Sequence, residues 1–247
     1  MRERPQESAP LLRIGIDIRV RGGLDGEVQL RIPAAVALLS FFASVSLADD
    51  GGGWTVIDKD RGITVSKRVA AGCPLPSFRG QGRIKGNVLQ LLSVMLDLKA
   101  VEKWAYGVDS SKPFKRIDER SHLIYLTSDL PWPVRDRDMI VRSEVEILKP
   151  AQEFRISLNC EPETQPERSG LIRIKQCHST LTLKKVDAEH TDIDYVMTID
   201  PAGYLPGWAT EWVTKATPMK TLVTLEERAA ESQGKYTAAV RSWSAAL

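Results

Sequence analysis

Few residues in this sequence have the type and spacing to do chemistry. Three histidines, His122, His178 and His190, and three cysteines, Cys73, Cys160 and Cys177, stand at spacings that match no metal site. The chain contains no nucleophile elbow, phosphate loop, dinucleotide fingerprint or metalloprotease helix. His122 and His178 fall on strand candidates without an acid or serine at catalytic spacing, and read as structural histidines. Arg137 is different. In strand parity it shares a face with Met139, Val141, Ser143, Val145 and Ile147, while Arg142, Glu144 and Glu146 take the other face. A guanidinium at the inward end of an apolar row must be paired, because desolvation otherwise costs several kcal/mol. Two readings follow: an ion pair with Asp136 or Asp129, or a donor to the polar end of a ligand. Tyr195 and Met197 lie on another inward row, where they either line a cavity or fill a core. An enzyme built on this pattern would use Tyr195, His178 or Arg137 as acid, base or oxyanion donor.

Composition narrows the partners. The chain has 247 residues and a formal charge of +2, from 34 Lys and Arg against 32 Asp and Glu. A dedicated nucleic-acid binder carries a stronger positive balance, so no nucleic-acid partner is expected. Ile32 to Ala48 is uncharged throughout, too short for a typical spanning helix but suited to a secretory core, and Ser46 and Ala48 form a small-x-small ending. The preceding residues carry six Arg and five acids, a mixture foreign to a leader, which suggests a true start near Val28. The expected organisation is a signal peptide or leader over 1–48, one domain over 49–232 and a C-terminal tail over 233–247. The expected location is secreted or periplasmic, with an uncleaved inner-membrane anchor as the alternative. In an oxidising compartment Cys160 and Cys177, which flank the turn-rich segment Glu161 to Gly170, are either bridged across a hairpin or two unpaired small apolar residues.

The elements that must position these residues are mostly strands. Trp54 to Asp58 and Ile63 to Val69 alternate around a turn ending at Gly62, and Ser77 to Lys85 is a third strand. Asn87 caps a helix on which Val88, Leu91, Leu92, Met95 and Leu96 recur at helical spacing. Further strands are expected at Phe114 to Arg120, His122 to Ser128, Asp138 to Leu148, Phe154 to Asn159, Leu171 to Val186 and Thr191 to Asp200. In Leu171 to Val186 the apolar parity slips, which predicts a bulge between Gln176 and Thr180. After the turn-rich Asp200 to Gly207, a stripe through Trp208, Trp212, Met219, Leu222 and Leu225 marks a C-terminal helix, with a kink expected at Pro218. The class is α+β: a curved antiparallel sheet of about nine strands around one long helix.

This order of elements, with LPWPVRDRDMIVRSEV (Leu130 to Val145), LIRIKQCHSTLTL (Leu171 to Leu183) and TIDPAGYLPGWATEW (Thr198 to Trp212), resembles the START domain, the lipid-transfer module related to the steroidogenic acute regulatory protein. The resemblance implies a helix-grip fold enclosing a hydrophobic tunnel for a single lipid, such as a sterol, phospholipid or acyl lipid. Arg137, Met139, Val141, Tyr195, Met197, Trp212, Met219 and Val223 would line the tunnel. Pro218, Gly203 and Gly207 would belong to a gate at the C-terminal helix. Many members carry a second Arg six residues after the first, where this chain has Ser143. The expected partners are a hydrophobic lipid and, transiently, a membrane; no cofactor is expected and the chain is expected to be a monomer. The alternatives are a helix-grip cyclase or hydrolase using the same pocket, and a membrane-anchored sensor.

Overall fold

The computed structural model describes residues 53–69, 76–232 and 240, with 208–215 as backbone alone. The expected leader, Cys73 and most of the expected tail lie outside these residues. In chain order the elements are β1 (Thr55–Asp60), β2 (Ile63–Arg68), β3 (Ser77–Lys85), α1 (Val88–Met95), β4 (Ser110–Arg116), β5 (Ser121–Ser128), β6 (Arg137–Lys149), β7 (Glu153–Cys160), β8 (Ile172–Arg173), β9 (Cys177–Lys185), β10 (His190–Ile199) and α2 (Gly207–Glu231). The α+β, helix-grip expectation is borne out. One sheet runs β1-β2-β3-β10-β9-β7-β6-β5-β4, its strands antiparallel along that path, and the two-residue β8 pairs in parallel with β6. The N-terminal hairpin thus joins the last strand, and the path stays open between β1 and β4.

Local chemistry explains most of the elements. Arg61 and Gly62 both have positive φ, 48° and 76°, the pairing a tight hairpin turn demands. Asn87 caps α1 by accepting a hydrogen bond from the Leu89 amide at 2.9 Å. On β10 the residues Thr191, Ile193, Tyr195 and Met197 are buried, and the alternate Asp192 and Asp194 form bidentate pairs with Arg83 and Arg79 of β3 on the outer face.

Helix α2 lies against β3, β2 and α1. The contact with β3 depends on Gly80. A Cβ there would stand 3.1 Å from both Pro218 Cβ and Leu222 Cδ1, so the missing side chain lets the helix settle onto the strand. Leu222, Leu225 and Ala229 are fully buried on this side, and Gln90 of α1 donates to the Ala229 carbonyl. Pro218, where a kink is expected, lies inside α2, one helix over 25 residues. Val240, within the expected C-terminal tail, packs into the main core.

The expected long strand from Leu171 to Val186 is two strands. Residues 174–176 leave the ladder between β8, which pairs with β6, and β9, which pairs with β7 and β10. The parity slip therefore marks a change of partner rather than a bulge. Strand β4 begins at Ser110, earlier than the expected Phe114, because its ladder runs from Ser110 opposite Thr127 to Arg116 opposite His122.

Candidate functional site

Between the inner face of the sheet and α2 lies a cavity of about 150 Å³ with predominantly apolar walls. Strands β5, β6, β7, β9 and β10 form one wall, each presenting alternate residues. Met139, Val141 and Ser143 come from β6, and Tyr195 and Met197 from β10. Arg137 stands at the end of the same β6 row. These five sequence candidates, Arg137, Met139, Val141, Tyr195 and Met197, are thus brought together around one space.

The helical candidates fall elsewhere. Met219 is buried in the main core and Val223 packs against it, whereas among the described residues the α2 side chains lining the cavity are those of Thr217 and Thr221. From Pro218 onward the apolar stripe of α2 is spent on β3 and α1, so there the face turned to the cavity is the adjoining polar one. A Thr pair four residues apart beside the stripe was the signal, hidden by the assumption that an apolar cavity takes apolar residues from every wall. Trp212 lies among the residues described by backbone alone. Of the gate candidates, Gly207 opens α2, Pro218 sits on Gly80, and Gly203 has φ +63° with Ile172 Cδ1 3.1 Å from where its Cβ would be.

Arg137 is 2% exposed, but its partner is neither Asp136 nor Asp129. Its Nε donates to the Pro201 carbonyl at 3.3 Å, Nη2 to the Ala202 and Tyr204 carbonyls at 3.3 and 3.4 Å, and Nη1 to the Arg135 carbonyl. Burial, with Arg135 nearby, pulls its pKa below the usual arginine value, and Asp136 opposes this. The turn before α2, which places Ala202 and Gly203 at φ 55° and 63°, directs its carbonyls at the guanidinium. Arg137 thus ties the approach to α2 onto β6.

The buried ion pair is made by the next residue. Asp138, on the outer face of β6, accepts from Arg173 Nε at 2.9 Å and Nη2 at 2.8 Å and from the Tyr125 hydroxyl at 2.8 Å. Burial alone would raise the Asp138 carboxyl, but the hydrogen bonds from Arg173 and Tyr125 prevail and hold it below the usual carboxylate range. Arg173 also donates to the carbonyls of Pro162, Gln165 and Pro166, so the segment between β7 and β8 is gathered around one guanidinium. A disulfide joins Cys160 and Cys177 at its base, with Cα atoms 5.1 Å apart. The hairpin expected between them is this longer excursion, from which β8 returns beside β6.

The three groups named for an enzymatic reading do not form a catalytic set. His178 is on the outer face of β9, its Nδ1 2.6 Å from Asn159 Oδ1. Arg137 spends its donors on carbonyls. Burial pushes the Tyr195 hydroxyl up to about 12, against the opposing hydrogen bond with Ser179. His122 shares the face of Ile124 on β5, and burial, then Arg116, lowers its pKa. His190 pairs with Asp187 at 3.0 Å near the surface. Among the described residues no three His, Cys, Asp or Glu side chains gather as a metal site.

The Tyr195 shift has a measurable consequence. The unfolded phenol ionises near pH 10, whereas the folded one resists to about 12. Its contribution is complete below pH 10 and is lost as pH rises through 12. Urea titrations at pH 8 and pH 11.5 are expected to show wild type losing about 2 kcal/mol more than Tyr195→Phe. Equal losses in both proteins would contradict a buried, desolvated hydroxyl.

Comparison with known proteins agrees with this geometry. At 30% identity, a STAR-related lipid transfer protein from Xanthomonas axonopodis superposes with a TM-score of 0.65, covering 72% of this chain and 99% of that one. An uncharacterized protein of Pseudomonas aeruginosa is 26% identical over 81% of this chain and 96% of its own length. The phosphatidylcholine transfer protein of Rattus norvegicus is 22% identical over 67% of this chain and 78% of its own. The family model for the START domain matches residues 46–234, and the chain belongs to that family.

Proposed function

We propose that this protein carries one hydrophobic lipid molecule in the cavity and moves it between membranes, working as a monomer that touches each membrane transiently. The observation that carries this reading is the apolar space between the sheet and α2. Burying an apolar chain there is favourable by about 25 cal/mol per Å² of surface removed from water. The space of about 150 Å³ is small beside the roughly 300–1,000 Å³ of typical ligand pockets, so a lipid must displace a wall as it enters. The wall that moves in this reading is the leading part of α2 with the 200–206 turn.

Two loops supply the membrane contact. Trp132, on the β5–β6 loop, is 91% exposed and Tyr204, on the turn before α2, is 85% exposed. The loops are joined where Leu130 and Val134 pack with Leu205, and both border the cavity through Leu130 and Pro201. Exposed aromatic rings of this kind favour a membrane interface. Among the described residues no helix is long and apolar enough to cross a membrane. Export through the 1–48 leader is part of the proposal, supported by the disulfide, which suits an oxidising compartment.

Native mass spectrometry of the purified full chain tests the reading. The expected result is one lipid per chain, recovered chemically unchanged, and lost in Ser143→Phe, where the new ring fills the cavity. Vesicle-to-vesicle transfer should slow when Trp132 and Tyr204 are both changed to Ala. A chain that takes up no lipid, or a Ser143→Phe variant that binds as well as wild type, would reject it.

A further inference from the structure

We propose that the polar group of the bound molecule is an uncharged oxygen, hydroxyl or carbonyl, that accepts a hydrogen bond from the indole N–H of Trp104. This rests on the lipid-carrying reading above and names the ligand class: a neutral oxygenated lipid, either a sterol-like alcohol or an acylglycerol, rather than a phospholipid or a fatty acid.

The cavity wall contains an incomplete hydrogen-bonding group. Trp104 lines the cavity and is 6% exposed, yet among the described residues its Nε1 has no hydrogen-bond partner. A buried indole N–H normally finds an acceptor, and leaving it without one costs about 1–3 kcal/mol. The surrounding sequence does not supply one. Trp104 follows a 3-10 turn, Val101–Lys103, whose first amide is taken by Ser111 Oγ at 3.1 Å, and the nearby Tyr106 amide is taken by Thr221 Oγ1 at 3.1 Å. The segment is therefore held in place on both sides of the indole while the indole donor stays open. An oxygen brought by a ligand would complete it.

The other polar side chains of the wall favour a neutral oxygen over an ion. Ser143, Ser179, Tyr195, Thr217 and Thr221 contribute hydroxyls, and no Asp, Glu or Lys lines the cavity among the described residues. Arg137, the lining cation, directs four hydrogen bonds to backbone carbonyls, a cage of partial negative charge that leaves it one N–H. A phosphate or carboxylate drawn inside would have to break that cage or stay largely unpaired, at the high cost of a buried charge. A zwitterionic headgroup would also find no carboxylate for its cation. A single hydroxyl or ester carbonyl needs none of these partners.

The full chain, incubated with vesicles holding equal amounts of cholesterol, dioleoylglycerol, dioleoylphosphatidylcholine and oleic acid, is weighed by native mass spectrometry. The expected adduct is cholesterol or dioleoylglycerol, and which one appears identifies the source of the oxygen. Phosphatidylcholine or oleate as the main adduct would overturn this inference and leave the carrier reading intact, whereas no adduct of any kind would overturn both. Trp104→Phe keeps an aromatic ring, though a smaller one, and removes the N–H. It should weaken binding of the preferred neutral lipid by about fivefold to tenfold more than it weakens binding of a hydrocarbon counterpart without oxygen (5α-cholestane, or a long alkane). Undiminished affinity for the oxygenated lipid would make Trp104 a packing residue and end the proposal.

Discussion

Replacing Arg173 with Met is expected to destabilise the protein by about 3–5 kcal/mol, a large share of the roughly 5–15 kcal/mol that holds a typical domain together. Both side chains of the Asp138–Arg173 pair are 1% exposed, so removing one partner leaves a carboxylate in a site that water does not reach. The same change strands the carbonyls of Pro162, Gln165 and Pro166, three acceptors that hold the excursion over the outer face of β6. Urea denaturation at neutral pH measures the loss. Changing Asp138 to Leu as well should restore part of it, because the charge is removed along with its partner, while the stranded carbonyls remain. A single-variant loss under about 1 kcal/mol would mean that the excursion moves aside and lets water in. Acid should act on the same pair. Since its folded pKa is depressed, Asp138 contributes stability above the ordinary carboxylate value, and that contribution fades as pH falls through the lower folded value.

Arg137→Leu carries the second large effect, and it is a loss of control as much as of stability. The guanidinium joins β6 to carbonyls 64 to 67 residues away, in the turn that leads into α2. Without it the turn keeps its own link, Asp200 Oδ1 accepting from the Ala202 amide at 2.9 Å, and the packing of Leu205 on Leu130 and Val134. Its tie to the sheet is weakened. The expected cost is about 2–4 kcal/mol, with amide exchange rising in residues 200–207 and a bound lipid leaving at least about tenfold faster. Arg137→Lys should not rescue the release rate, because one ammonium cannot span four carbonyls set around a planar fork. Unchanged amide exchange in that turn would show that Arg137 is not its latch.

Most elements were legible because their causes are local. The boundaries of β3, the cap at Asn87 and the alternation of β10 all follow from neighbours within a few positions of one another, and the structure places them at Ser77–Lys85, Val88–Met95 and His190–Ile199. Parity also assigned the inward row of β6 correctly, including Arg137. What parity does not tell is what lies opposite. Asp138 and Tyr125 sit on the face that a one-sided sheet turns to water, yet both are buried, because an excursion closed by Cys160 and Cys177 folds over that face. The Asp138–Arg173 pair spans 35 residues, and no spacing rule relates its members.

The cavity shows the same division. Residue patterning alone requires a half-apolar sheet and one long amphipathic helix to meet, since each has a greasy face that water disfavours and no third layer is available. How they meet is set by packing between distant segments. Gly80 lets Pro218 and Leu222 close onto β3, which turns Thr217 and Thr221, rather than Met219 and Val223, toward the enclosed space. The rotation of a helix about its own axis is set by the shapes of the partners it packs against, and those shapes come from residues more than a hundred positions away in the chain.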